Sequence, residues 1–141
     1  MSTYADTCLF VSLYLTDQHT PEVERRLKSR PVLWMTPLHV AEWTHALEQH
    51  VFRKVISRGE ADRLLQRFHQ HRTQGLWKEA AVPDRAFETC ARLAEQYGAR
   101  LGVRTLDTLH VACALELKAE RFWTFDHRQE KLALAVGLKT A

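Results

Sequence analysis

At 141 residues, 45% hydrophobic and 26% charged, the chain has the make-up of a single domain spanning residues 1–141 and falls outside the disordered and fibrous classes. Its net charge of +3 and pI near 8.9 allow a polyanionic partner without demanding one. No apolar run nears the ~20 residues of a membrane span, and three scattered cysteines, Cys8, Cys90 and Cys113, read as reduced, buried residues of a cytoplasmic protein.

The amino terminus carries no Lys or Arg ahead of its apolar stretch and does not read as a secretion signal. Residues 2–5 form a short strand ending at Asp6. A helix follows to Leu15, then a second over 22–29, with Pro21 suited to its first turn. Residues 31–36 hold Val32, Leu33, Trp34 and Met35, a compact strand. Pro37 opens a helix with Leu38, Ala41, Leu47 and Val51 at helical spacing, which Gly59 is expected to end or kink. The next helix runs to Gln74 with Ala61, Leu64, Leu65 and Phe68 on one side, and Gly75 stops it. Residues 76–82 read as a weaker strand. From Pro83 an amphipathic helix turns Ala86, Phe87, Cys90, Leu93, Ala94 and Tyr97 to the core. Residues 105–118 make a helix that is apolar on almost every side, as helices packed inside a domain are. A strand over 121–125 ends at Asp126, followed by a short helix and a last strand near 138–140.

Strands alternating with helices predict an α/β fold, a parallel sheet covered on both faces. Parallel strands joined by right-handed crossovers bring their carboxyl ends to one edge, where such sheets bind ligands. Asp6 and Asp126 each stand just after a strand. If those strands are neighbours, the two carboxylates share one crevice, where like charges need a cation between them. Asp107 opens the apolar helix, and Glu42 lies one turn into the helix begun by Pro37. Each has an ordinary reading too: Asp is a favoured N-cap, Asp126 with Gln129 fits a capping box, and a helical Glu is commonly solvated. Together, two strand ends and two helix starts deliver oxygen ligands of the kind that suits Mg²⁺ or Mn²⁺ and phosphodiester hydrolysis.

The segments Tyr4-Ala-Asp6-Thr7, Thr36-Pro-Leu-His-Val-Ala-Glu42, Arg104-Thr-Leu-Asp107-Thr-Leu-His110-Val-Ala and Thr124-Phe-Asp126 resemble those of PIN-domain ribonucleases, most closely toxins of the VapC type. The resemblance covers essentially the whole chain. It implies a PIN-like three-layer α/β/α fold with four or five parallel strands, and Mg²⁺- or Mn²⁺-dependent cleavage of RNA. It also implies a homodimer and inhibition by a small antitoxin. Asp6, Glu42, Asp107 and Asp126 match the family's metal-binding acids, and Thr7 and Thr124 its orienting hydroxyls. Cys8, followed by Leu9 and Phe10, departs from the smaller or polar residues common there.

A substrate groove lined by acids needs cations beside it, and Arg104, Arg121, Arg128 and Lys131 flank the acidic motifs as candidate RNA contacts. Among four tryptophans, Trp43 is the best exposed candidate for stacking on a base, being next to Glu42. His110 reads as a hydrogen-bonded core residue, and His39, His69 and His71 lack ligand spacing. Three other readings compete. Paired acid-x-x-His spacings at Glu42–His45 and Asp107–His110 suit a di-iron bundle, but Pro31, Pro37, Gly75 and Pro83 punctuate the chain too often for long helices. A solitary RNA-processing nuclease or a non-catalytic RNA- or protein-binding module of the same fold remains open. The second has no reason to gather four acids.

Overall fold

Successive side chains of a strand face opposite ways, and here that alternation sorts the apolar residues into two cores. The computed structural model describes residues 1–141. Its elements are β1 (Ser2–Ala5), α1 (Thr7–Tyr14), α2 (Thr20–Leu27), β2 (Val32–Met35), α3 (Pro37–Phe52), α4 (Arg58–Thr73), β3 (Lys78–Glu79), α5 (Ala86–Leu93), α6 (Ala99–Leu101), α7 (Thr105–Glu116), β4 (Arg121–Trp123) and α8 (His127–Ala135). Tyr4 of β1 and Phe122 of β4 pack with α5, α7 and α8 on one face of the sheet. Ala5 and Trp123, their neighbours in sequence, pack with α1, α3 and α4 on the other. The result is the three-layer arrangement that the alternating pattern predicts.

All four strands are parallel, in the order β3-β2-β1-β4. The chain moves outward from β1 to β2 to β3, then returns to lay β4 against the free side of β1, with Tyr4 opposite Phe122 and Ala5 opposite Trp123. The switch point therefore falls between β1 and β4, the two strands that lead into Asp6 and Asp126. The Asp6 N–H closes the join by donating to the Trp123 carbonyl at 2.8 Å. The last expected strand shrinks to a single bridge, Arg121 to Lys139.

Several local expectations are corrected. Gly59 does not end the helix before it. That helix stops at Phe52, where Lys54 turns left-handed (φ 59°), and Gly59 sits in the first turn of α4, whose start Ser57 caps by accepting from Glu60 N at 3.1 Å. Phe87 is 67% exposed and Ala94 is exposed, because the buried stripe of α5 is narrower: Ala86, Thr89, Cys90 and Leu93. A π-helical turn, Ala94–Gly98, then carries α5 into α6. Cys90 and Cys113 are buried, but Cys8 is partly exposed. Trp43 is no stacking platform: it is 1% exposed and lies flat against Phe68, ring centroids 3.9 Å apart. Burial of a side chain of that size contributes about 3 kcal/mol, so packing accounts for it. No helix is long and apolar enough to cross a membrane.

Candidate active site at the carboxyl edge of the sheet

Asp6 follows β1 directly and caps α1. Its Oδ2 accepts from Cys8 N at 3.1 Å and its Oδ1 from Gln129 Nε2 at 3.0 Å. Burial alone would raise its carboxyl, but the facing His110, 3.9 Å away, and the hydrogen bonds from Cys8 and Gln129 outweigh that and hold it below the usual range. Asp126 caps α8 in the same manner: Oδ1 accepts from Arg128 N at 2.8 Å and Gln129 N at 3.0 Å, leaving Oδ2 without a partner. The capping box read from sequence is only half made. Thr124 Oγ1, not Gln129, accepts from the Asp126 N–H at 3.0 Å.

Gln129 is instead the joint of the site. It is wholly buried, accepts from the Thr124 hydroxyl at 2.5 Å, and donates to Asp6 and to the Asp107 carbonyl at 3.1 Å. It thus links β1, α7 and α8. Its one trace in the sequence is the position three residues after Asp126.

Asp107, in the first turn of α7, makes no hydrogen bond through its carboxylate, which is only 24% exposed. Arg104 approaches it to 3.7 Å but is itself largely in solvent. Burial, then the charges of Asp6 and Asp126, push its carboxyl above the usual range. Asp107 and Asp126 line a cleft of about 330 Å³ together with Gly102, Arg104, His127 and Arg128. Arg104 and Arg128 are therefore beside the acids, as is His127, which the sequence reading passed over. Lys131 is exposed on α8 outside that cleft. Arg121 starts β4, at the opposite end of the strand, and is held against Met1 Sδ and the Trp123 ring.

Glu42 reaches the same edge from α3. Its Oε1 accepts from the Thr7 hydroxyl at 2.8 Å and contacts His110 Nε2, while Oε2 has no protein partner. The start of α3 is fixed by His39, also missed as a structural residue. His39 Nδ1 accepts from Thr36 N at 3.0 Å, and Nε2 donates to the Ala5 carbonyl at 2.8 Å, tying α3 to the end of β1. Burial above all, then the neighbouring His110, pushes the imidazole down to about 3.

No three His, Cys, Asp or Glu side chains converge tightly enough to enclose an ion by themselves. The donor set nonetheless fits a hard divalent cation. It offers carboxylate oxygens only, with Asp107 unbonded among like charges and single free oxygens on Asp126 and Glu42. Mg²⁺ keeps several waters and takes one or two carboxylates, so it needs no tighter cage.

Solved structures share the architecture. VapC20 of Mycobacterium tuberculosis, described as a sarcin–ricin loop cleaving toxin, matches with TM-score 0.74 and 15% identity over 99% of this chain and 98% of that one. FitAcB of Neisseria gonorrhoeae matches at 0.70 and 16%, over 98% and 95%. VapBC2 of Rickettsia felis, bound to a DNA fragment from its promoter, matches at 0.69 and 12%, over 100% and 98%. No curated protein sequence is significantly similar. The model of the PIN domain matches residues 3–134, a span that takes in all four acids, both hydroxyls and Gln129. The chain belongs to the PIN-domain family.

Proposed function

We propose that this PIN-domain protein is a metal-dependent endoribonuclease that hydrolyses RNA phosphodiester bonds, and that it is the toxin of a toxin–antitoxin pair. The observation that carries the reading is the unbonded Asp107 carboxylate, held on one edge of the sheet with Asp6, Glu42 and Asp126. Family membership supports it, as does a fold shared with VapC20, described as a sarcin–ricin loop cleaving toxin. Asp6, Asp107 and Asp126 would hold one or two Mg²⁺ or Mn²⁺ ions, directly or through water, and Glu42 would complete the set or help to deprotonate the attacking water. Such an ion, when bound, offsets the charge of the phosphodiester and makes a water acidic enough to attack at neutral pH.

The chain's own groups do the rest. Glu42, held at Oε1 by Thr7 and His110, keeps Oε2 free for the cation. Arg104 and Arg128, beside Asp107 and Asp126, hold the phosphate of the strand being cut, and Lys131 extends the basic rim. Arg121, at the far end of β4, is left out of this contact. Thr124 and Gln129 keep Asp126 and Asp6 in register. The products carry a 5′-phosphate and a 3′-hydroxyl. The proposal also takes a homodimer in the cytoplasm and a small antitoxin that silences it; the likeness to VapBC2 supports the antitoxin partner alone.

The test is cleavage of a structured RNA by purified protein in Mg²⁺, after chelation, and after Mg²⁺ is restored. Activity that survives chelation and Asp6→Asn rules the proposal out. A finer result is expected at Gln129→Leu, which leaves the Thr124 hydroxyl proton and Asp6 Oδ1 without their partner. Metal affinity should fall about 10–100-fold, as for other residues that orient metal ligands, and stability by about 1–3 kcal/mol. Mn²⁺ titration and urea unfolding measure the two; an unchanged metal affinity removes Gln129 from the site.

A further inference from the structure

His110 is wholly buried on α7, one turn beyond Asp107, within a run buried without a break from Thr108 to Ala114. An imidazole in such surroundings must satisfy both ring nitrogens or cost stability. Its Nδ1 lies 2.7 Å from the Tyr4 hydroxyl. Its Nε2 contacts Glu42 Oε1 and lies 3.2 Å from Thr7 Oγ1.

The partners fix the protons. A carboxylate only accepts, so the nitrogen facing Glu42 carries hydrogen. Thr7 spends its own proton on the same Oε1. Tyr4, buried between His39 and Phe122, keeps its proton and donates it to Nδ1. A one-way chain results, from Tyr4 O–H to His110 and from His110 Nε2–H to Glu42. His39, ring centroid 4.9 Å from that of His110, cannot redirect it, because both its nitrogens are committed to Thr36 and Ala5.

We infer that Tyr4, His110 and Thr7 are positioning residues for Glu42, pinning Oε1 so that Oε2 alone is presented to a cation at the acid edge. The inference rests on the nuclease reading above and deepens it. A glutamate 27% exposed on a helix flank would otherwise sample several rotamers and offer either oxygen. Held at one oxygen by two donors, it offers a single direction, and the ordering is achieved in folding rather than on metal binding.

The experiment is calorimetric titration of Mn²⁺ into the metal-free protein, with thermal melting alongside. His110→Leu should weaken Mn²⁺ binding by about 10–100-fold. Tyr4→Phe should weaken it less, because Nε2–H still faces Glu42. His110→Gln, whose amide donates in place of Nε2–H, should restore most of the affinity, a recovery that loss of packing alone would not give. Tyr4→Phe with His110→Leu removes both buried partners at once and leaves no orphaned hydroxyl, so its melting temperature should stay near that of the wild type while Mn²⁺ affinity stays low. Wild-type affinity in the folded double variant overturns the inference and leaves the nuclease reading intact. Failure of the wild type itself to bind Mn²⁺ overturns both.

Discussion

Asp107→Asn should raise the melting temperature of the metal-free protein while lowering RNA cleavage by at least about 10³-fold. Folding brings the Asp107 carboxylate beside those of Asp6 and Asp126 and gives it no hydrogen bond in return. An amide of the same shape escapes that repulsion but, without the charge, is a much weaker ligand for a divalent ion. The pH dependence has a definite sign. The folded-state pKa lies above the ordinary 3.8, so the group's contribution to stability is full below 3.8 and is lost as pH rises through the raised value. The advantage of the Asn variant is therefore complete at pH 7 and fades as pH falls towards 3.8. Saturating Mn²⁺ should reverse the order, since a ligand at 100 times its Kd stabilises the wild type by about 2.7 kcal/mol. Melting curves in chelator and in Mn²⁺, at pH 7 and pH 4, read all of this. A variant that melts below the wild type without metal contradicts the account.

The second large effect is acid unfolding governed by His39. This imidazole is neutral in the folded protein down to about 3, chiefly because it is buried, whereas in the unfolded chain it titrates near 6.5. The unfolded state thus takes the proton first. Stability that is full above pH 6.5 is lost as pH falls from 6.5 towards 3, with a slope approaching about 1.4 kcal/mol per pH unit. Over that window the loss comes to roughly 4–5 kcal/mol. Asp6, held below 3.8, acts in the same direction but only at the acid end. Urea unfolding from pH 7 to pH 4 should show the slope in the wild type and a flatter profile in His39→Gln. The variant should also lose about 1–3 kcal/mol at pH 7 through its broken bonds to Thr36 and Ala5. Equal slopes in the two proteins refute the assignment.

What the sequence reveals and what it hides divide along a physical line. Asp6 and Asp126 are legible because each follows a strand, and parallel strands end on one edge. Asp107 is legible because an acid is conspicuous at the start of so apolar a helix. The α/β alternation is readable from the same periodicity, whereas the return of β4 to the side of β1 is seen only in the sheet. Contacts between distant segments leave no such pattern. Gln129 looks like half of a capping box, and only the sheet shows that its amide reaches Asp6 across the join of β1 and β4. His39 has no ligand spacing because its partners are backbone groups, the Thr36 N–H and the Ala5 carbonyl. His110 is read correctly as a hydrogen-bonded core residue, yet nothing in one dimension names Glu42 as its partner. Trp43 misleads for the same reason: its neighbour in sequence is a site residue, whereas its neighbour in space is Phe68.

The pairing of β1 with β4 also sets when the site comes into being. Tyr4 meets Phe122 and Ala5 meets Trp123, a closure over nearly the whole length of the chain, which local helix formation cannot hasten. Asp6, Thr7 and Glu42 are synthesised early and can settle around α1 and α3. Asp107 follows with α7, but Asp126 and the Gln129 joint arrive only with β4 and α8. A growing chain therefore carries an incomplete acid set until residues 121–129 have emerged and docked. The nuclease proposed above is in this way unable to assemble its acid set until nearly the whole chain has been made.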